Sequence, residues 1–447
     1  MDDIEKVSES DKRDPFAALH LRDFRLLIIG RFVAQLGEMM VTVAIGWELY
    51  IRTNDAFALG LVGLVQIIPV LLLSLPGGYV ADRFNRRRIL FWTQLLLVLC
   101  SGILTVISLT EGSLVVLYAT LALIGVARAF NNPAESALTP LFVPPELYYS
   151  ASIWNSSVWQ FSAIVGPAAG GIIIGIAGIA APVYIINMIA GLVLVGVLMM
   201  LRNERKVEYL ASSESPLEAV KNGWRFVRRT EVVLASITLD MFAVLLGGAT
   251  FLLPIYAEDI LHVGADGLGI MRAAPSIGAL ITLFIVSRLP PFAKAGKTLL
   301  WAVAGFGAAT IVFGISENFW LSLAMLALLG GLDYISVIIR HTLVLTFTPD
   351  EMRGRVNAVN SMFIGASNEL GGFRSGVSAG ILGPVGAVVF GGIGTMVVVG
   401  LVALKIPRLR ALGNITDEAS AQATLMAAID DTHTETGLAS TDPAPNV

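Results

Sequence analysis

Twelve apolar stretches follow one another along 447 residues, each about as long as the roughly 20 residues a helix needs to cross a bilayer. They run approximately over 24–51, 57–76, 89–109, 113–139, 149–177, 181–201, 232–256, 267–287, 297–315, 319–347, 354–381 and 385–406. Only 14% of the residues are charged, against about 25% in a soluble domain, and the mean hydropathy is +0.76. The expectation is an all-α polytopic membrane protein with twelve transmembrane helices.

Lys and Arg set its orientation. Of 30 such residues, five fall deep within spans (Arg31, Arg128, Arg272, Arg340, Arg374) and one, Arg52, at a turn on the opposite side. The other 24 lie on one side, in the first residues, 77–90, 202–230, 288–297, 353–355 and 405–410. Cytoplasmic loops collect Lys and Arg, so both termini are expected in the cytoplasm. The longest internal loop, 202–231, divides six spans (24–201) from six more (232–406), between a cytoplasmic N-terminus (1–23) and a tail (407–447) expected to be disordered. Within that loop, Ser215 as cap, Pro216 in the first turn and Glu218 three residues after the cap mark a helix start. Leu217, Val220, Trp224 and Val227 then recur at helical spacing among basic residues, which places an amphipathic helix under the inner leaflet. The tail past Arg410 has no Lys or Arg; a short amphipathic helix near 417–429 is the alternative there.

The halves echo each other. With a shift of 205, Pro144, Glu146, Asn155, Ser156, Gly166 and Gly171 recur as Pro349, Glu351, Asn360, Ser361, Gly371 and Gly376. Such repeats accompany alternating access around a site at the interface of the halves.

Ionisable groups inside a membrane are costly and point to function. Arg31, Gln35, Glu38 and Thr42 fall at i, i+4, i+7 and i+11, one stripe of the first span. Arg128, Asn132, Glu135 and Thr139 repeat that spacing in the fourth. The tenth carries Asp333, Ser336 and Arg340, the seventh Asp240, and the eleventh Glu369 and Arg374. As a set they are expected to line a wet translocation path, with Asn155 and Trp159 added to the cavity wall and Trp47, Trp154 and Phe161 as further aromatics. Glu38 is the first choice of proton carrier, then Asp240 and Glu369, with Asp333 a further candidate, because a carboxylate withdrawn from water gives up its preference for the charged form.

Between the second and third spans lie Gly78, Asp82, Arg83, Asn85, Arg86 and Arg87. Their order, Gly, three residues, Asp-Arg, one residue, a turn residue and a basic pair, resembles the loop signature of the major facilitator superfamily. That family usually has Gly at the turn; Asn85 is expected there as a residue that tolerates a left-handed backbone. The resemblance covers about residues 20–408. It implies two pseudo-symmetric six-helix bundles, a conformational switch at this loop and a central substrate site.

The fifth span holds Gly166-Pro167-Ala168-Ala169-Gly170-Gly171, which resembles the core of the antiporter motif of drug:proton exporters in that superfamily. The upstream glycines of the fuller motif are replaced by Ile153 and Ser162. Residues 127–134 and 348–356 resemble the branch that includes the enterobactin exporter and macrolide efflux proteins. This implies outward export of amphipathic small molecules such as siderophores or drugs, with protons as the coupling ion. An importer, a lysophospholipid translocator and a non-transporting sensor remain as alternatives.

Other chemistries fit poorly. Gly296-Lys297-Thr298 ends like a phosphate-binding loop, but its first Gly position is Pro291 and no strand precedes it. The four histidines are scattered, and Cys100 is the only cysteine, so neither a metal centre nor a disulfide framework is expected. No enzyme activity, cofactor or nucleic-acid partner is implied. The expected partners are membrane lipid, a small-molecule substrate and protons, and the chain is expected to be a monomer.

Overall fold

The computed structural model describes residues 14–202, 216–290 and 292–414, without the side chains of Leu75, Asp82, Pro216 and Asp350. The described residues contain no strand. The membrane helices are α1 (Arg22–Thr53), α2 (Ala56–Arg83), α3 (Arg86–Thr110), α4 (Leu114–Ser136), α5 (Tyr148–Ala177) and α6 (Ala181–Met200). The second half has α7 (Glu231–Gly247), α8 (Gly264–Val286), α9 (Ala295–Ile315) and α10 (Phe319–Phe347). The final helical run, Asp350–Lys405, is two spans: Gly383 has φ 75° and ψ 164° and Pro384 follows, so α11 covers 350–382 and α12 covers 384–405. Among the described residues eleven helices are long and apolar enough to cross a membrane, and this break makes twelve crossings.

Short outer turns follow from local chemistry. Asn54 and Glu111, at φ 47° and 51°, and Gly178, at φ 73°, end α1, α3 and α5 in the left-handed region. Asp55, Ser113 and Asn318 then cap α2, α4 and α10 through side chains that accept backbone N–H groups. α7 stops at Gly248, and the chain continues through 3-10 and π turns to Ile260.

Each half repeats one packing scheme. α1 packs on α5 as α7 does on α11, α2 on α4 as α8 on α10, and α3 on α6 as α9 on α12. Two seams join the halves, α2 with α11 and α5 with α8. The repeated glycines obey the same symmetry. A Cβ on Gly166 would lie 3.1 Å from the Leu36 carbonyl oxygen of α1, and one on Gly371 would lie 2.8 Å from the Val244 carbonyl oxygen of α7. Gly171 and Gly376 instead face the other half: a Cβ would come 2.8 Å from the Cα of Gly269 on α8 or 2.7 Å from the Cα of Gly60 on α2. Small residues let backbones approach closely here.

Two expectations are corrected, for Asn85 and for the tail, and the linker helix gains a protein partner. Asn85 is not left-handed; at φ −62° and ψ 113° it is the N-cap of α3, its side chain accepting from Arg88 N at 3.1 Å. A capping oxygen, which Gly lacks, is the physical reason for Asn at this turn. The linker helix, Pro216–Arg229, docks on protein: Val227 is buried with Val356 and Val359 of α11, and Trp224 stacks on Phe363 with centroids 5.4 Å apart. The tail does not begin at 407. Pro407–Ala411 is a short helix, Leu409 and Leu412 are buried against α9 and α12, and Ala295 N donates to the Gly413 carbonyl at 3.1 Å. Residues 1–13, 203–215 (with the Ser215 cap) and 415–447 (with the alternative helix near 417–429) lie outside the described residues.

Candidate substrate cavity

A cavity of about 550 Å³ lies between the halves. At its Lys- and Arg-rich end it is lined by Leu27, Leu90, Leu138 and Leu198, close to the cytoplasmic helix ends. Leu59 of α2 lines its far end, where the two glycine seams bring the halves together. Nothing lies within 4 Å of a Cβ built on Gly78 or Gly354, at the cytoplasmic ends of α2 and α11. The seams thus close the cavity at its outer end, and its other end reaches the cytoplasmic helix ends.

The first-span stripe faces this space in full: Arg31, Gln35, Glu38 and Thr42 all line it. From α4 come Arg128, Asn132 and Glu135. Arg31 forms an ion pair with Glu135 at 2.6 Å and donates to Asn155 Oδ1 at 2.8 Å. Arg128 pairs with Glu38, also at 2.6 Å, and donates to Gln66 Oε1 at 2.8 Å. Both pairs join helices of the first half and keep partial access to solvent, 21–40% by side chain, so each is held by geometry more than by strong net attraction.

The second half contributes differently. Arg272 of α8 and Glu369 of α11 line the same cavity, yet among the described residues neither makes a hydrogen bond or ion pair. Glu369 lies within electrostatic reach of Arg128 and Arg272. Each occupies a notch in the first half. A Cβ on Gly63 would come 2.9 Å from Glu369 Oε2, and one on Gly46 3.4 Å from Arg272 Nη2. The lining thus holds three Arg and three Glu, with Gln66, Gln94, Asn131 and Asn187 besides, and Phe251 as its one aromatic.

Several predicted site residues fall elsewhere. Asp240 and Arg340 pair inside the second half, each less than 10% exposed. With Asp333 and Ser336 they sit at or beside a separate small void rather than the central cavity. The reason is rotation: α10 turns this stripe toward α7 and α9. Trp159 is 55% exposed on α5 and does not line the central cavity, and neither do Trp47, Trp154 and Phe161. Asn155 acts through Arg31. Arg374 donates to the Leu245 and Leu246 carbonyls freed where α7 breaks.

Gly166, Pro167, Gly170 and Gly171 are all buried, against α1 on one side and α8 on the other. In the cytoplasmic loop, Arg83 lies over the Tyr79 ring at 4.5 Å. Arg86 donates to the Ala81 carbonyl at 3.2 Å and Arg87 to that of Met199 at 3.1 Å. Asp82 is in the last turn of α2. Gln66, Gln94, Ser101, Asn187 and Arg272 were missed as site residues; the available signal was a polar residue isolated in an apolar run.

Residues 13–435 match the family described as transmembrane secretion effectors. The enterobactin exporter EntS of Shigella boydii serotype 18 is 24% identical over 368 residues, covering 81% of this chain and 85% of its own. That of Escherichia coli O139:H28 has the same identity and coverage. Among solved structures, a bacterial homologue of the iron transporter ferroportin in an inward-facing state superposes with a TM-score of 0.66 at 17% identity, covering 88% of this chain and 99% of its own. The nucleoside transporter NupG gives 0.68 at 11% identity, covering 86% and 100%. These likenesses establish the fold, that of the major facilitator transporters. The chain is a multi-pass protein of the bacterial inner membrane and belongs to the transmembrane secretion effector family of membrane transporters.

Proposed function

We propose that this transporter exports amphipathic small molecules, siderophore or drug-like, from the cytoplasm in exchange for protons, by alternating access. The observation that carries the reading is the central cavity, charge-balanced, rich in amides and closed at its outer end. Its three Arg and three Glu leave no net charge to favour a simple cation or anion. Its amide side chains suit a ligand with several hydrogen-bonding groups, and the relatives bear the name of an exporter of such a molecule. A lining with six charges is a poor match for an acyl chain, which weighs against a lipid translocator.

For coupling, Glu38 is the carboxylate paired with Arg128, the cavity arginine of the first half that also lies within electrostatic reach of Glu369. A proton on Glu38 would release Arg128 toward Glu369 of the opposite half, and its loss would restore the pair. One charge crossing about 100 mV gains ~2.3 kcal/mol, enough for a tens-fold substrate gradient. Two measurements test the proposal. A deletion strain is profiled for secreted siderophore and for drug sensitivity, and efflux from cells expressing the protein is followed with and without an uncoupler. Reduced secretion or raised sensitivity, with efflux that collapses on uncoupling, is expected. An unchanged strain, or efflux indifferent to the proton gradient, overturns the export or the coupling reading respectively.

A further inference from the structure

The linker helix, Pro216–Arg229, buries one face and leaves another open. Gly223 and Val227 are buried, and a Cβ on Gly223 would lie 2.6 Å from the Arg355 carbonyl oxygen of α11. The helix also packs on α7 and touches α2 of the other half. Leu217, Lys221, Trp224, Arg225 and Arg228 fall at i, i+4, i+7, i+8 and i+11, so they share a second face. All five are exposed, Leu217 by 64% and Trp224 by 37%.

Its depth follows from α11. Trp224 stacks on Phe363, which lies about 12 Å further along α11 than Arg355. No Asp, Glu, Lys or Arg falls between Arg355 and Glu369. The helix therefore sits where α11 passes from charged sequence into its apolar span. Trp beside Lys and Arg is the composition of a membrane–water interface. The charge is one-sided: Lys221, Arg225, Arg228 and Arg229 are exposed against a single carboxylate of this helix, Glu218. Arg225 donates to Asn222 Oδ1 at 3.1 Å, a neutral partner that leaves its charge uncancelled. Lys221, Arg228 and Arg229 make no hydrogen bond or ion pair among the described residues.

We propose that this face binds an anionic phospholipid of the inner leaflet, with Lys221, Arg225 and Arg228 on its phosphate and Leu217 and Trp224 against its acyl chains. Basic side chains on an amphipathic helix draw anionic lipid out of a mixed leaflet, and apolar neighbours fix the depth of the helix. A soluble phosphate offers the same charge but covers neither Leu217 nor Trp224, which commits the face to lipid. Because the helix is seated on α7 and α11 and also touches α2, the lipid lies beside a seam that joins the halves. The site lies apart from the central cavity and does not rest on the export reading.

The test uses the full-length chain with Cys100→Ser and Leu217→Cys, the new thiol carrying a small fluorophore, in nanodiscs of phosphatidylcholine. Spin-labelled phosphatidylglycerol or spin-labelled phosphatidylcholine is added as the quencher. Half-quenching is expected at a mole fraction of phosphatidylglycerol roughly fivefold or more below that of phosphatidylcholine. Excess soluble glycerol phosphate should leave this preference in place. Lys221→Gln, Arg225→Gln and Arg228→Gln combined should bring the two lipids level, whereas Arg225→Lys with Arg228→Lys should keep them apart. Size-exclusion profiles show whether each variant is folded; if the triple variant is not, Lys221→Gln with Arg228→Gln, which removes no hydrogen bond among the described residues, decides alone. Quenching by neither lipid, equal quenching by both, a preference abolished by glycerol phosphate, or one unchanged in the folded glutamine variant overturns the proposal.

Discussion

The hydroxyl of Tyr50, at the outer end of α1, donates a hydrogen bond to Oδ2 of Asp259, beyond the break of α7. The first residue belongs to one half and the second to the other. Tyr50 is 4% exposed, so its hydroxyl is held at a protein seam on the side where the cavity is closed. A hydrogen bond to a carboxylate contributes about 1.5–3 kcal/mol net. Tyr50→Phe keeps the ring packing and removes only that term, shifting the balance toward an open outer face by about ten- to a hundredfold. The check is reaction of a membrane-impermeant thiol reagent with a Leu59→Cys reporter at the outer end of the cavity, after Cys100→Ser. Faster labelling is expected with Tyr50→Phe, and equal rates would show that the seam closes without this bond.

Glu38 and Arg128 make the second test. Glu38→Gln retains shape and hydrogen-bonding capacity but cannot take up and release a proton as a carboxylate does. Membrane insertion should be normal, while the dependence of transport on pH should flatten. Export measured in inverted vesicles across a series of pH values checks this. A variant with an unaltered pH profile and normal proton-driven flux would remove Glu38 from the coupling role.

The glycine seams predict a directional defect. A Cβ at Gly171 meets the backbone of Ala265 and Gly269, and one at Gly376 meets that of Gly60, so no side-chain rotation can relieve either contact. Gly171→Ala and Gly376→Ala should each hold the outer ends apart and raise outer-face labelling of the same Leu59→Cys reporter. Gly365→Ala, on α11 with nothing within 4 Å of the added Cβ, is the control expected to label like the parent. Because the two seam glycines are symmetry mates, a defect in one and none in the other would argue against equivalent seams.

The legible parts of this molecule were those fixed by local physics. Twelve crossings followed from apolar length, and the Gly383-Pro384 turn was visible although the helical run is nearly continuous through it. The α1 stripe was legible because one helix carries all four residues on one face, whichever neighbour it meets. The α10 stripe has the same periodicity, but periodicity does not say which way a face points. Asp333, Ser336 and Arg340 turned inward to α7. Trp159 failed for the same reason, and Gln66, Gln94 and Asn187 were invisible as a group because their proximity exists only after α2, α3 and α6 assemble. Trp224 of the linker helix stacks on Phe363 of α11 and stays 37% exposed, a contact between segments distant in sequence that the helix's own periodicity does not show.

Paired and unpaired arginines should respond oppositely to neutralisation. Arg340 is 5% exposed and bound to Asp240, so Arg340→Gln strands a buried carboxylate, a change that costs about 3–5 kcal/mol. Arg272 and Glu369 have no hydrogen-bonded partner among the described residues, and each lies within electrostatic reach of the other, so neutralising one removes a longer-range counter-charge rather than a direct ion pair. Their loss should be felt where they face, in the cavity. Arg272→Gln and Glu369→Gln are therefore expected to melt close to the parent in detergent while the apparent KM for the exported compound rises by about tenfold or more, the effect of losing one charged contact of roughly 1.5–3 kcal/mol. Arg340→Gln should show the reverse, a clear fall in melting temperature. Thermal melts and transport kinetics on the same preparations separate the two outcomes. If Arg272→Gln unfolds as readily as Arg340→Gln, its charge is structural, and the second half contributes to the cavity wall without binding what passes through it.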